Sequence, residues 1–205
     1  VLYVDRDCCE VSGNSGSGKY NNLFHEWPNL QVRLNSMHYM ARFSSLLTHP
    51  SHPLYAVFKR RLRDCIFTRD EGDMRSLLDS KKNELLSNGT RVESLPSQRQ
   101  LLAMVPGSDI QKFVRRRIRP APDIDRLISN LLLQFSDPLV TDGFGTPLLR
   151  EDAYRYYREE LSKHCQCLQD PENVPLYRPT GTVTRHGVEL VGQLTVETLP
   201  LFEGH

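Results

Sequence analysis

The chain has 205 residues, of which 39% are hydrophobic and 25% charged, and its formal net charge is +1. This is the balance of a folded globular chain and excludes an intrinsically disordered one. It gives no global field toward nucleic acid or acidic partners, so such binding needs local patches, and no apolar run approaches the roughly 18 residues of a membrane span.

Residues 1–4 (VLYV) are a continuous β-favouring run that ends in the charged DRD. That predicts a central strand with carboxylates at its C-terminal end; a run this short is not a secretory leader. Residues 12–18 (SGNSGSG) read as a flexible loop. A short helix is expected over 19–27 with Leu23, Phe24 and Trp27, broken by Pro28 and Asn29. LQVRL at 30–34 alternates apolar and polar residues and predicts a second strand. Residues 36–47 then carry Met37, Met40, Ala41 and Leu47 at helical spacing. Strand, helix, strand, helix is an α/β order. The opening strand and the closing LPLFEGH both read as interior sequence, so the protein is expected to continue past both ends.

After Pro50 the pattern turns helical. Residues 54–67 place Leu54, Val57, Phe58, Leu62, Cys65 and Ile66 on one face and Lys59, Arg60 and Arg63 on the other. Residues 70–87 carry a stripe of Met74, Leu77, Leu78 and Leu85, stopped by Asn88-Gly89. Ser108 is expected to cap a helix bearing Ile110, Phe113, Val114 and Ile118, ended by Pro120 and Pro122. Asp123 is expected to cap the stripe of Ile124, Leu127, Ile128, Leu131, Leu132 and Phe135. After the loop DGFGTP, residues 150–168 predict a long helix with Ala153, Tyr157, Leu161 and Leu168 inward. From Pro175 the period becomes two, and Arg185-His186-Gly187 predicts a hairpin turn. The expected organisation is an α/β segment over 1–50, a mainly helical region over 51–170 and a short hairpin-like β segment over 171–205 that returns to the α/β core.

GNSGSGK at 13–19 has the G-x-x-x-x-G-K spacing of a phosphate-binding loop. That mechanism needs a strand running straight into the first glycine and a Ser or Thr after the lysine. Here eight residues, Asp5 to Ser12, intervene, and Tyr20 follows Lys19. The stretch reads as a connector, with nucleotide binding the remote alternative. Asp5 and Asp7 lie at i and i+2 of a strand end and share a face. Two-metal nuclease and strand-transfer sites place their acids in this way; solvated acids flanking Arg6 are the plain alternative.

His49 and His52 are three positions apart, and His164, Cys165 and Cys167 cluster near a helix end, but neither group has the paired spacing of a structural zinc site. Five cysteines in an irregular layout favour a reducing, intracellular compartment over a disulfide scaffold. Two basic runs, KRRLR at 59–63 and RRRIR at 115–119, fall on expected helices. Lys59, Arg60, Arg63, Arg115, Arg116 and Arg119 are therefore candidate contacts of a helical binding module to DNA phosphates or to an acidic protein surface, and the runs also fit nuclear localisation signals. Ordinary solvated helix faces are the alternative. Aromatic residues do not interleave with either run, so stacking on single strands has no support.

VLYVDRDCC, FHEWPNLQVRLNSMHYMARF and CLQDPENVPLYRPTGTVTRHGVEL together resemble a transposase-derived family found in fish and other animal genomes. That family is similar to DDE-type, RNase H-like transposases, and the resemblance spans most of the chain. It implies a partial RNase H-like α/β core carrying a large, mainly helical insertion. It implies that Asp5 matches the second catalytic, metal-binding acid, and that His38 matches the histidine of an Asp-x-x-His motif at the head of a helix. Asn35 stands at that motif's acidic position, Met37 at its Trp and Ala41 at the first Arg of the following pair. The first and third acids have no counterpart, and Glu197 and Glu203 match no motif. One carboxylate offers too few ligands for a Mg²⁺ site. The resemblance therefore implies Mg²⁺ chemistry in an intact relative, and no cofactor and no activity in this chain.

Overall fold

The structure, a computed structural model, describes residues 1–5, 19–171 and 173–195. Asp7, Cys8, Cys9, the glycines of the 13–19 motif, Glu197 and Glu203 lie outside the described residues. Helix makes up about 51% and strand 18%, in small sheets, so the chain is mixed α/β. It divides into two compact units. Among the described residues, the first holds 1–5, 19–68 and 118–171, and the second holds 69–117 and 173–195. The helical stretch expected over 51–170 contributes to both.

β1 (Leu2–Val4) pairs in parallel with β2 (Val32–Leu34), Leu2 opposite Val32 and Val4 opposite Leu34. In each strand the outer two side chains are buried and the middle one half-buried, as alternation on a pleated strand requires. Between them lies α1 (Lys19–Leu23). It is shorter than the helix expected through Trp27: Leu23 and Trp27 are exposed, and Phe24 stacks on Trp27 with centroids 4.9 Å apart.

Directly after β2, Asn35 caps α2 (Ser36–Arg42), and a 3₁₀ segment, Phe43–Leu46, continues it. The buried residues here are Tyr39, Phe43 and Leu46, whereas Met37 and Ala41, expected inward, are exposed. A cap placed at the strand end fixes the phase of the helix, and that phase turns position 39 to the core.

α3 (Tyr55–Ile66) buries Phe58, Leu62, Cys65 and Ile66, while Val57 is 47% exposed and leaves the expected stripe. β3 (Phe67–Arg69) follows and forms a two-stranded sheet with β4 (Arg116–Ile118). α4 (Glu71–Ser87) begins at Asp70, whose carboxylate accepts from the Gly72 and Asp73 amides. Asn88-Gly89 ends it, Gly89 with φ of 89°.

α5 (Gln98–Met104) was not expected from periodicity; Gln100 reaches back to the Ser97 amide at 2.9 Å and closes its first turn. α6 (Gly107–Phe113) ends five residues before Ile118, because the chain extends into β4. α7 (Ala121–Phe135) carries the expected stripe, with Ile124, Ile128, Leu131, Leu132 and Phe135 buried. Pro120 precedes it and Pro122 lies in its first turn, where a missing amide is harmless.

α7 packs against α3, Phe58 meeting Phe135 edge to face at 5.3 Å. The helix expected over 150–168 divides into α8 (Ala153–Tyr156), a π turn Tyr157–Leu161 and a 3₁₀ segment Ser162–Leu168. Ala153, Tyr157, Leu161 and Leu168 are nevertheless buried as expected.

In the second unit, β5 (Tyr177–Arg185) and β6 (Val188–Thr195) form an antiparallel hairpin. β6 packs on α4 and α6, burying Leu190 among Leu77, Leu78, Leu101, Val105, Phe113 and Val114. Ser80 and Asn83 of α4 hold the turn through the Arg185 and His186 carbonyls at 3.2 and 2.9 Å. The two turn residues, His186 and Gly187, have φ of 49° and 77°, the left-handed pair that a tight hairpin needs. A Cβ at Gly187 meets nothing within 4 Å. The Gly187→Ala variant is therefore expected to lose about 1 kcal/mol through backbone strain alone, read as a lower urea midpoint with an unchanged m-value.

Candidate functional site

The parallel pair brings two sequence-marked positions together. Asp5 follows β1, Asn35 follows β2, and the Asn35 amide donates to the Val4 carbonyl at 2.8 Å. The carboxyl ends of both strands therefore emerge side by side, the place where open α/β sheets put their chemistry. Asp5 is exposed. The Asn35 side chain accepts from the Met37 amide at 2.8 Å and is committed to capping α2. His38 is exposed on the first turn of α2, and Arg42, four positions on and so on the same helix face, donates to the Asp5 carbonyl. Arg42 was not among the sequence candidates; its spacing from His38 was the available signal. Among the described residues the strand ends offer one carboxylate, a capping amide and an imidazole, which is not the oxygen-rich cage that two divalent cations require.

The two basic runs differ. In the first, Lys59, Arg60, Arg61 and Arg63 are exposed along α3. Lys59 lies 5.9 Å from the Tyr55 ring, and Arg61 reaches Gln134 and the Phe135 ring. Arg63 comes only within 3.9 Å of Asp64. No carboxylate among the described residues lies within ion-pair distance of Lys59 or Arg60.

The second run is not helical: Val114 and Arg115 leave α6, and Arg116–Ile118 is β4. Extension turns alternate side chains toward the start of α4. Arg115 makes a bidentate pair with Asp73 at 2.7 and 2.9 Å, and Arg117 donates to Asp70 at 2.7 Å. Burial pushes the Asp70 carboxyl up, but the Asp73 amide and the two guanidinium groups outweigh it and hold the carboxyl below its ordinary range. The Asp73 hydrogen bond raises Arg115 further. Arg119 donates to the Asp64 carbonyl at 3.3 Å. Arg115 is thus neutralised locally, as is Arg117, so of the three arginines of this run expected to face phosphate, Arg115 is taken out.

Of the expected His-Cys group, Cys165 points into the core. Its sulfur lies 3.4 Å from the Tyr39 hydroxyl, and burial pushes the thiol up. Burial likewise pushes the Cys65 thiol up to about 11. Both therefore stay protonated and are poor ligands and nucleophiles near neutrality.

His49 and His52, by contrast, gain a partner that spacing could not supply. Asp142, in the loop before Pro147, joins them, with one ligand atom from each residue all within 4.8 Å of one another. His52 is 3% exposed. Its Nε2 lies 3.0 Å from the Thr146 carbonyl, and its Nδ1 accepts from the Leu54 amide at 3.1 Å. Asp142 accepts from the Thr146 and Phe144 amides, and those bonds hold its carboxyl below the usual range.

No helix among the described residues is long and apolar enough to cross a membrane. No protein-family model, curated protein or solved structure matches the chain.

Proposed function

We propose that the chain descends from a DDE-type, RNase H-like strand-transfer enzyme and is catalytically silent. The observation that supports this reading is the strand-end arrangement: parallel β1 and β2, Asp5 after the first, and Asn35 after the second at the head of a helix carrying His38. Asn and Asp cap helices about equally well. A change from Asp to Asn at position 35 therefore removes a metal ligand and leaves the fold intact, as expected of a site that has lost its chemistry but not its scaffold. Genomic sequence flanking the reading frame tests the ancestry. It is expected to encode a strand ending in Asp upstream and an acidic helix downstream, and flanks with neither sink the reading. Mg²⁺-dependent nicking of duplex DNA by the wild-type chain, lost in Asp5→Asn, overturns the silent state.

A second reading, binding to DNA, is favoured by one observation: the outward face of α3 is basic, and Lys59 and Arg60 there have no carboxylate partner among the described residues. Neutralising three phosphate-facing charges lowers the salt slope by close to one per contact. The Lys59→Ala/Arg60→Ala/Arg63→Ala variant is expected to bind a duplex at least about tenfold more weakly in 50 mM salt and to lose about 2–3 units of slope in log K against log salt. Arg115→Ala, which removes an arginine already paired with Asp73, is expected to stay within about twofold of wild type. Fluorescence anisotropy across a salt series reads both, and equal affinity in the triple variant excludes this face.

A further inference from the structure

The segment 48–53 and the loop 141–147 are already joined without a metal. The Thr48 amide and hydroxyl bond the Leu148 and Pro147 carbonyls at 3.0 and 2.7 Å, and His52 bonds the Thr146 carbonyl. Hydrogen bonding therefore accounts for His52, which clamps the loop, and for Asp142, which closes the loop on itself through the Phe144 and Thr146 amides. It does not account for His49. That imidazole is half-buried and has no hydrogen-bond partner among the described residues. Its ring centroid lies 5.3 Å from that of His52 at 44°. Two imidazoles and a carboxylate with ligand atoms within 4.8 Å of one another, His49 standing outside the clamp, form a ligand set.

We infer that His49, His52 and Asp142 form a binding site for one transition-metal dication of the zinc class. The donor chemistry selects the ion. Two neutral nitrogens and one carboxylate suit Zn²⁺ or Co²⁺ and are poor for Mg²⁺ or Ca²⁺, which take oxygen cages. The spacing is close to what is needed. Ligands about 2.0–2.2 Å from a tetrahedral ion lie about 3.3–3.6 Å apart, and the three atoms here lie within 4.8 Å, so movements on the order of 1 Å close the shell. His52 yields one of its two hydrogen bonds to the ion and keeps the other, and a bonded second nitrogen is what orients a ligand imidazole. Three protein ligands leave a fourth position for water. Since His49 and His52 sit at one end of the contact and Asp142 at the other, the ion fastens the DGFGTP loop to the segment that leads into α3.

The test uses the full chain, stripped with chelator and titrated with ZnCl₂ by calorimetry and with CoCl₂ by visible absorption. Wild type is expected to take up one Zn²⁺ saturably, with cobalt bands of a four-coordinate N/O site and a raised Tm. His49→Ala, which lies outside the clamp, is expected to keep the metal-free Tm and to bind at least about thirtyfold more weakly; Asp142→Asn is expected to weaken binding as well. Absence of saturable binding in wild type overturns the inference. So does binding that His49→Ala leaves unchanged, or a cobalt spectrum dominated by sulfur-to-metal charge transfer, which assigns the metal to cysteines instead.

Discussion

Phe58→Ala is expected to lower the unfolding free energy by about 3–5 kcal/mol, the range for removing a fully buried phenylalanine. Phe58 has no exposed surface. It projects from α3 into the face of α7 and packs edge to face on Phe135. Leu62, Ile66, Ile124, Ile128 and Leu132 in the same core cluster are each at most 1% exposed. Side chains anchored on two helices cannot collapse into the space that a ring leaves, so the cavity term adds to the lost transfer energy. Val57, one position earlier and 47% exposed, is the internal control. Val57→Ala is expected to change stability by less than about 0.5 kcal/mol. Urea unfolding followed by far-UV circular dichroism measures both, and a loss below about 1 kcal/mol at Phe58 contradicts the packing described for α3 and α7.

Asp70→Ala is expected to destabilise the second unit by about 2 kcal/mol, combining a lost helix cap with the lost Arg117 pair. Its side chain is 14% exposed, whereas Arg117 is 53% exposed, so the ion pair contributes less than the cap. Asp70→Asn separates the two parts, because Asn retains the cap and removes the charge. The charge also sets a pH dependence. The Asp70 carboxyl is held below its ordinary value in the folded chain, so the unfolded chain takes up the proton first as pH falls. The stabilisation is complete above the unfolded value of about 4 and is lost as pH drops through the lower folded value. Wild type is therefore expected to lose stability more steeply than Asp70→Asn below about pH 4. Parallel acid limbs for the two proteins contradict the assignment.

Local pattern carried much of the architecture. The stripes of α4 and α7 stand at helical spacing, and both helices form where the spacing places them. The hairpin was legible because period two on either side of Arg185-His186-Gly187 admits only a tight turn. The continuous β-favouring run VLYV and the alternating LQVRL marked the two strands that lead to Asp5 and Asn35, and the structure added that they pair in parallel. What was not legible rests on contacts between distant positions. RRRIR reads as a helix until Asp70 and Asp73 are placed beside it, and those pairs span 47 and 42 positions. Met37 and Ala41 fit a helical stripe as well as Tyr39 and Phe43 do; the strand end that starts the helix decides between them. Asp142 has no local signal linking it to His49 and His52, because the loop returns to them only after α7.

Among the described residues the two units alternate in sequence, first, second, first, second, and that order sets a timetable for synthesis. Residues 19–68 leave the ribosome with the apolar face of α3 only partly covered, since α2 packs on it lightly and the larger surface it needs is α7. Arg61 and Gln134, which meet across that contact, are 73 positions apart. At roughly 5–20 residues per second the face waits for seconds. Throughout that interval Phe58, Leu62 and Ile66 are an open target for chaperones and for self-association. The second unit waits longer still, because Leu190 arrives on the hairpin after everything else it packs against. A nascent chain stalled between α6 and α7 therefore carries two half-built cores at once, and quality control is expected to recognise it by the partly covered face of α3.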